Sequence, residues 1–105
     1  MDFKIPAQKL GLDLDEYIEL IDLFLETGGE DLRGLEDALM NNDIQRMAER
    51  SHSLKGASGN LGLVEIYEKA KDIENRSREN NLKGIEIAIE KIKEQIKEIE
   101  TALEK

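Results

Sequence analysis

Residues 82–105 read LKGIEIAIEKIKEQIKEIETALEK, with apolar positions Ile85, Ile89, Ile92, Ile96, Ile99 and Leu103 spaced 4, 3, 4, 3 and 4 apart. That rhythm is the seam of an amphipathic helix, and it predicts a helix from about Leu82 to the end. The fragment Ile85-Glu-Ile-Ala-Ile89 alternates as a strand would, but the longer helical period outweighs it. Glu90, Lys91, Lys93 and Glu94 form the opposite, solvated face, with charges set for i,i+3 and i,i+4 pairs.

The same rhythm recurs upstream. Ile44, Met47, Ser51, Leu54, Ser58 and Leu61 are 3, 4, 3, 4 and 3 apart, and Gly62 stops that helix. Leu63, Ile66, Ala70 and Ile73 make another seam, closed by Asn80-Asn81. Nearer the start, Asp13-Leu-Asp-Glu16 spells a capping box, and Leu12 and Tyr17 stand where a hydrophobic staple would put them. The helix from Leu14 carries Tyr17, Ile18, Leu20, Ile21, Phe24 and Leu25 until Gly28-Gly29 interrupts it. A further helix from about Glu30 to Met40 shows Leu32, Leu35 and Leu39; whether the glycines break the chain or kink one long arm stays open. Asn41-Asn42 ends it, with Asn42 as candidate cap of the next helix, and Pro6 to Leu10 reads as one short turn stopped by Gly11. Short connections make successive helices antiparallel. The expected fold is all-α: an antiparallel up-and-down four-helix bundle with an additional N-terminal helix or helices, residues 1–105 forming a single domain.

Composition narrows the function classes. Asp and Glu number 24 against 15 Lys and Arg, a net charge of −9, which disfavours nucleic acid and anionic membrane surfaces as partners. There is no cysteine and one histidine, so disulfides, thiol catalysis and thiolate metal sites drop out, and a zinc site would need carboxylates alone. No apolar run approaches the roughly 18 residues of a membrane span, and a cytoplasmic monomer is the expectation.

One helix departs from its own pattern. At ~100° per residue the seam of the third long helix centres near Ser51 and Ser58, and His52 projects off it toward solvent. On the stripe of His52 lie Gln45, Ala48, Lys55, Gly56 and Gly59. A glycine inside a helix costs ~1 kcal/mol relative to alanine, and neither Gly56 nor Gly59 stands at a terminus where capping would excuse it. Both clear space beside the imidazole, so something must come close to His52. Near neutral pH a ring nitrogen is available as a nucleophile, and the ammonium of Lys55 one turn on suits an anion such as a phosphoryl group. No glycine-rich phosphate loop is present, so nothing here binds ATP, and the phosphoryl group has to arrive from another protein.

The run Ser51-His52-Ser53-Leu54-Lys55-Gly56-Ala57-Ser58-Gly59-Asn60-Leu61-Gly62 closely resembles the signature of histidine phosphotransfer (HPt) domains, which relay phosphoryl groups in two-component signalling. The likeness extends to the Asn42-Asp43 start of the helix, the leucine-rich helix before it and the seam after it. Ser51 departs from the alanine of many relatives, a change between small residues. The resemblance implies His52 as phosphoacceptor, Lys55 as charge partner of the phosphoryl group, and Gly56, with Gly59, Ala48 and Gln45, as the face a receiver domain approaches. It implies response-regulator receivers and a sensor or hybrid histidine kinase as partners, no cofactor on this domain, Mg²⁺ on the receiver, and no autonomous kinase activity. Some relatives hydrogen-bond the second imidazole nitrogen from the position of Glu74, where a plain surface glutamate is the simpler expectation. Leu20, Leu23 and Phe24 are candidates for a docking patch, with burial in the bundle as the competing reading. Lys55 also reads as a solvated surface charge, and Gly59 as a close helix–helix contact. Two further readings stand beside the carrier: an excised phosphoacceptor domain of a larger kinase, and a bundle that binds partners without ever carrying phosphate.

Overall fold

The computed structural model describes residues 1–104. It contains α1 (Lys4–Lys9), α2 (Leu14–Met40), α3 (Ile44–Asn60), α4 (Val64–Arg78) and α5 (Ile85–Leu103). Helices α2 to α5 form the four-helix bundle, each packing on its successor and α5 returning to α2, while α1 lies against α2. Phe3 at the start of α1 brings its ring to 6.2 Å from that of Tyr17.

Gly28 and Gly29 do not interrupt the chain, because α2 runs unbroken through 27 residues. At 1.5 Å per residue that is about 40 Å, and the molecule's long axis is 41 Å. Gly28 and, further along the helix, Gly34 are kept for space. A Cβ on Gly28 would stand 3.1 Å from the Phe24 ring, and one on Gly34 would stand 2.9 Å from the Arg50 side chain. Burial of Phe24, Leu32 and Leu35 around them offsets the poor helix propensity.

The ends of α2 and the start of α3 follow short-range chemistry. Asp13 and Glu16 form the capping box, the Asp13 amide donating to Glu16 Oε1 at 3.0 Å. Asn42 does not cap α3. It adopts a left-handed conformation with φ 53°, and Asp43 is the cap, its Oδ1 accepting from the Arg46 amide. The last helix begins at Ile85 rather than Leu82, because Gly84 takes φ +78° and turns the chain into it.

The seams meet as the spacing predicts. Met47, Leu54 and Leu61 share one hydrophobic core with Ile66, Ala70 and Ile73 of α4 and the isoleucines of α5, and Ser51 and Ser58 are buried on the same face of α3. Ser51 and Ser58 can lie in that apolar layer because each hydroxyl donates to a carbonyl one turn back, at 2.7 Å (Met47) and 2.8 Å (Leu54). The Tyr17 hydroxyl donates to the Leu61 carbonyl, tying α2 to the end of α3, and burial raises the Tyr17 pKa. With one face of α3 held this way, the opposite face is fixed in space.

Candidate functional site

That opposite face carries His52, whose side chain is 64% exposed. Its Nδ1 lies 2.9 Å from Oε2 of Glu74 on α4. Glu74 is not a surface residue: its side chain is 5% exposed. The reason is its company. Lys55 Nζ stands 2.7 Å from Oε1, a close ion pair whose angle falls short of a hydrogen bond. Arg78 donates to Oε2 through Nη2 at 2.7 Å and Nε at 3.2 Å. Burial pushes the Glu74 carboxyl up, but the contacts from Lys55, Arg78 and His52 outweigh it and hold the pKa down at about 2.

An ionised carboxylate only accepts, so the proton between Glu74 and the imidazole belongs to Nδ1. In the neutral ring the lone pair is then on Nε2. One nitrogen is oriented and the other is left as a nucleophile, on a side chain that faces solvent.

Lys55 is thereby placed beside the imidazole, but with its ammonium engaged by Glu74 and its side chain 28% exposed. Gly56 is open, and a Cβ added there meets nothing within 4 Å. Gly59 differs, since a Cβ would come 3.0 Å from the Tyr67 ring of α4, so its small size serves packing between α3 and α4. Gln45 is exposed and Ala48 half-buried on the same helix. Lys55, Gly56, Gly59, Asn60, Val64 and Tyr67 line a groove of about 460 Å³. Of the docking candidates, Leu20 and Leu23 remain exposed, whereas Phe24 is 2% exposed and belongs to the core.

The sequence reading missed Arg78 altogether and undervalued Glu74. Both left signals. Glu74 is four residues from Ala70 and eight from Ile66, on the edge of a buried seam, and Arg78 follows it by the i,i+4 spacing of a helical ion pair. Asp31 was also missed: it is buried on α2, accepting from Ser53 Oγ at 2.7 Å and from Arg50 at 3.3 Å. No group of three or more His, Asp or Glu among the described residues is arranged to hold a metal ion.

No curated protein sequence matches the chain. Among solved structures, the crystal structure of histidine-containing phosphotransfer protein B (HptB) from Pseudomonas aeruginosa PAO1 is similar, with a TM-score of 0.84 and 29% identity over 99% of this chain and 90% of that one. The family model described as Hpt domain matches residues 19–104, a span that takes in His52, Lys55, Glu74 and Arg78. With that match spanning most of its length, the chain belongs to the Hpt domain family, the histidine phosphotransfer proteins of phosphorelay signalling.

Proposed function

We propose that the protein is a phosphocarrier that takes a phosphoryl group onto Nε2 of His52 from a receiver-domain aspartate, or from a sensor or hybrid kinase, and passes it to another response regulator. The observation that carries this reading is the exposed imidazole whose Nδ1 is held 2.9 Å from a buried, ionised Glu74. The Nε2 lone pair attacks phosphorus, the P–O bond to the receiver carboxylate breaks, and that carboxylate leaves as an anion. The ring gains positive charge as the N–P bond forms, and Glu74 across the Nδ1–H bond offsets it. Reversal returns the group to a second aspartate. The Mg²⁺ that would neutralise the transferring group would be held by the receiver.

The partner approaches over Gly56, where nothing stands beside the backbone, with Leu20 and Leu23 of α2 as the apolar contact. A monomeric cytoplasmic protein fits this role; no helix among the described residues is long and apolar enough to cross a membrane. The test is His52→Gln, incubated with a phosphorylated receiver. Substitution at an exposed position changes stability by about 0.5 kcal/mol or less, so the variant stays folded and accepts no label, while wild type carries acid-labile, base-stable phosphate. A variant that still accepts label refutes the assignment. Absence of label on wild type from any receiver or kinase favours a binding module instead.

A further inference from the structure

The Glu74 carboxylate is shared unevenly. Lys55 takes Oε1, while Oε2 meets both His52 Nδ1 at 2.9 Å and the guanidinium of Arg78 at 2.7 and 3.2 Å. Arg78 and the imidazole therefore converge on one oxygen. An exposed i,i+4 Glu–Arg pair contributes little, but here the carboxylate is 5% exposed and the guanidinium 61%, so the cation reaches from solvent onto a buried anion. Helix termination does not require this. Arg76, also in the last turn of α4, already supplies a cation there, with its own partners in Asp72 and the Lys83 carbonyl. A planar guanidinium with two N–H groups on one oxygen fixes the orientation of the carboxylate in a way a point charge does not.

We propose that Arg78 is a positioning residue for phosphoryl acceptance, holding the Glu74 carboxylate in the orientation in which Oε2 also meets Nδ1–H of His52. The inference rests on the phosphocarrier reading and adds to it the group that keeps the nucleophilic nitrogen free. Without Arg78 the carboxylate is oriented by Lys55 from its other oxygen alone, and the ring loses its single tautomer and rotamer.

The experiment compares the full-length wild-type chain with Arg78→Gln, which keeps the aliphatic stem and removes the charge and the fork. Long-range ¹H–¹⁵N correlation spectra with ¹⁵N-histidine, at about pH 8.5 and so well above the ordinary histidine pKa, report which ring nitrogen carries the proton. Labelling by phosphoramidate reports acceptance without a protein partner. Wild type shows the Nδ1–H tautomer; the variant shows a mixture and labels roughly threefold to tenfold more slowly. Wild-type spectra and wild-type labelling in the variant overturn the proposal. So does slowed labelling with an unchanged tautomer, because Arg78 then acts on the incoming phosphoryl group rather than through Glu74. A changed tautomer with unchanged labelling overturns it too, since orientation of the ring then does not govern acceptance. If neither receiver nor phosphoramidate labels wild type, the phosphocarrier reading itself fails, and that failure is seen before the variant is considered.

Discussion

Gly56→Arg separates folding from transfer by the sign of two effects. A Cβ at Gly56 meets no atom within 4 Å, so the larger side chain has room and leaves for solvent. Replacing a mid-helix glycine by arginine recovers about 0.8 kcal/mol of helix propensity. For a domain of this size that is about 3–6 °C in Tm. The same side chain stands one turn from His52, in the path proposed above for the receiver. Phosphoryl transfer needs the reacting atoms about 3 to 3.5 Å apart, and a misplacement of ~1 Å costs about a hundredfold. The expected result is a Tm equal to or above wild type, with transfer from a phosphorylated receiver lowered a hundredfold or more and labelling by phosphoramidate little changed. Gly59→Ala is the internal control. Its Cβ would lie 3.0 Å from the Tyr67 ring, so the ring has to shift and the stability gain shrinks or reverses. Thermal melts by circular dichroism and a radiolabel transfer time course read both quantities. A Gly56→Arg protein that melts well below wild type, or that transfers at the wild-type rate, refutes the reasoning.

Glu74 makes stability depend on acid. Its pKa falls from 4.5 to about 2 on folding, so its contribution is complete above about 4.5 and lost as pH drops through about 2. That span of 2.5 units sets an upper bound of about 3 kcal/mol. Glu74→Gln is expected to lose about 1–3 kcal/mol at pH 7 by urea denaturation, with the gap to wild type closing toward pH 2; a gap independent of pH contradicts the ionised, paired state. Lys55→Ala leaves Oε1 of Glu74 buried without its cation, so receiver-dependent transfer is expected to slow by roughly fivefold to tenfold, together with a lower melting temperature. An unchanged rate and melting temperature return Lys55 to a plain surface charge.

The helices were legible because their seams are long: six apolar positions in the last helix outweigh the short strand-like alternation over residues 85–89. Whether the glycine pair breaks α2 was not legible because a breaker signal is local, whereas the reason to tolerate Gly28 is the Phe24 ring lying over it. His52 stood out because its own stripe contradicts helix propensity, and sequence alone measures that contradiction. Gly56 and Gly59 look alike in the sequence, but Gly59 proves to be the penultimate residue of α3, where a glycine costs less, and the Tyr67 ring packs where its Cβ would stand, while Gly56 faces open space. The apolar arc of α2 likewise divided only on packing, with Phe24 turned into the core and Leu23 left 56% exposed. Glu74 was undervalued for a different reason. A carboxylate at the edge of a seam is ordinarily solvated, and burying this one takes, besides Arg78 one turn on, the ammonium of Lys55 from the neighbouring helix, a meeting no linear pattern records.

Glu74 also explains why fold and chemistry are separable on one face of α3 but joined on α4. Ser51 and Ser58 settle their hydroxyls within α3 itself, so that helix's packing does not depend on His52 or Gly56. The buried carboxylate has no such independence: it is stable there only while the cations of Lys55 and Arg78 surround it, and it orients the imidazole only while it is ionised. Lys55 and Arg78 against Glu74 leave a local charge of 2 − 1 = +1, on a chain whose net charge is −9. On the phosphocarrier reading, that positive centre is what an incoming phosphoryl group and the acidic pocket of its donor would meet. Substitutions at His52 and Gly56 should therefore change transfer and leave the bundle intact. Substitutions in the Glu74 cluster should change both, and in proportion, because the same contacts hold the carboxylate and aim the ring.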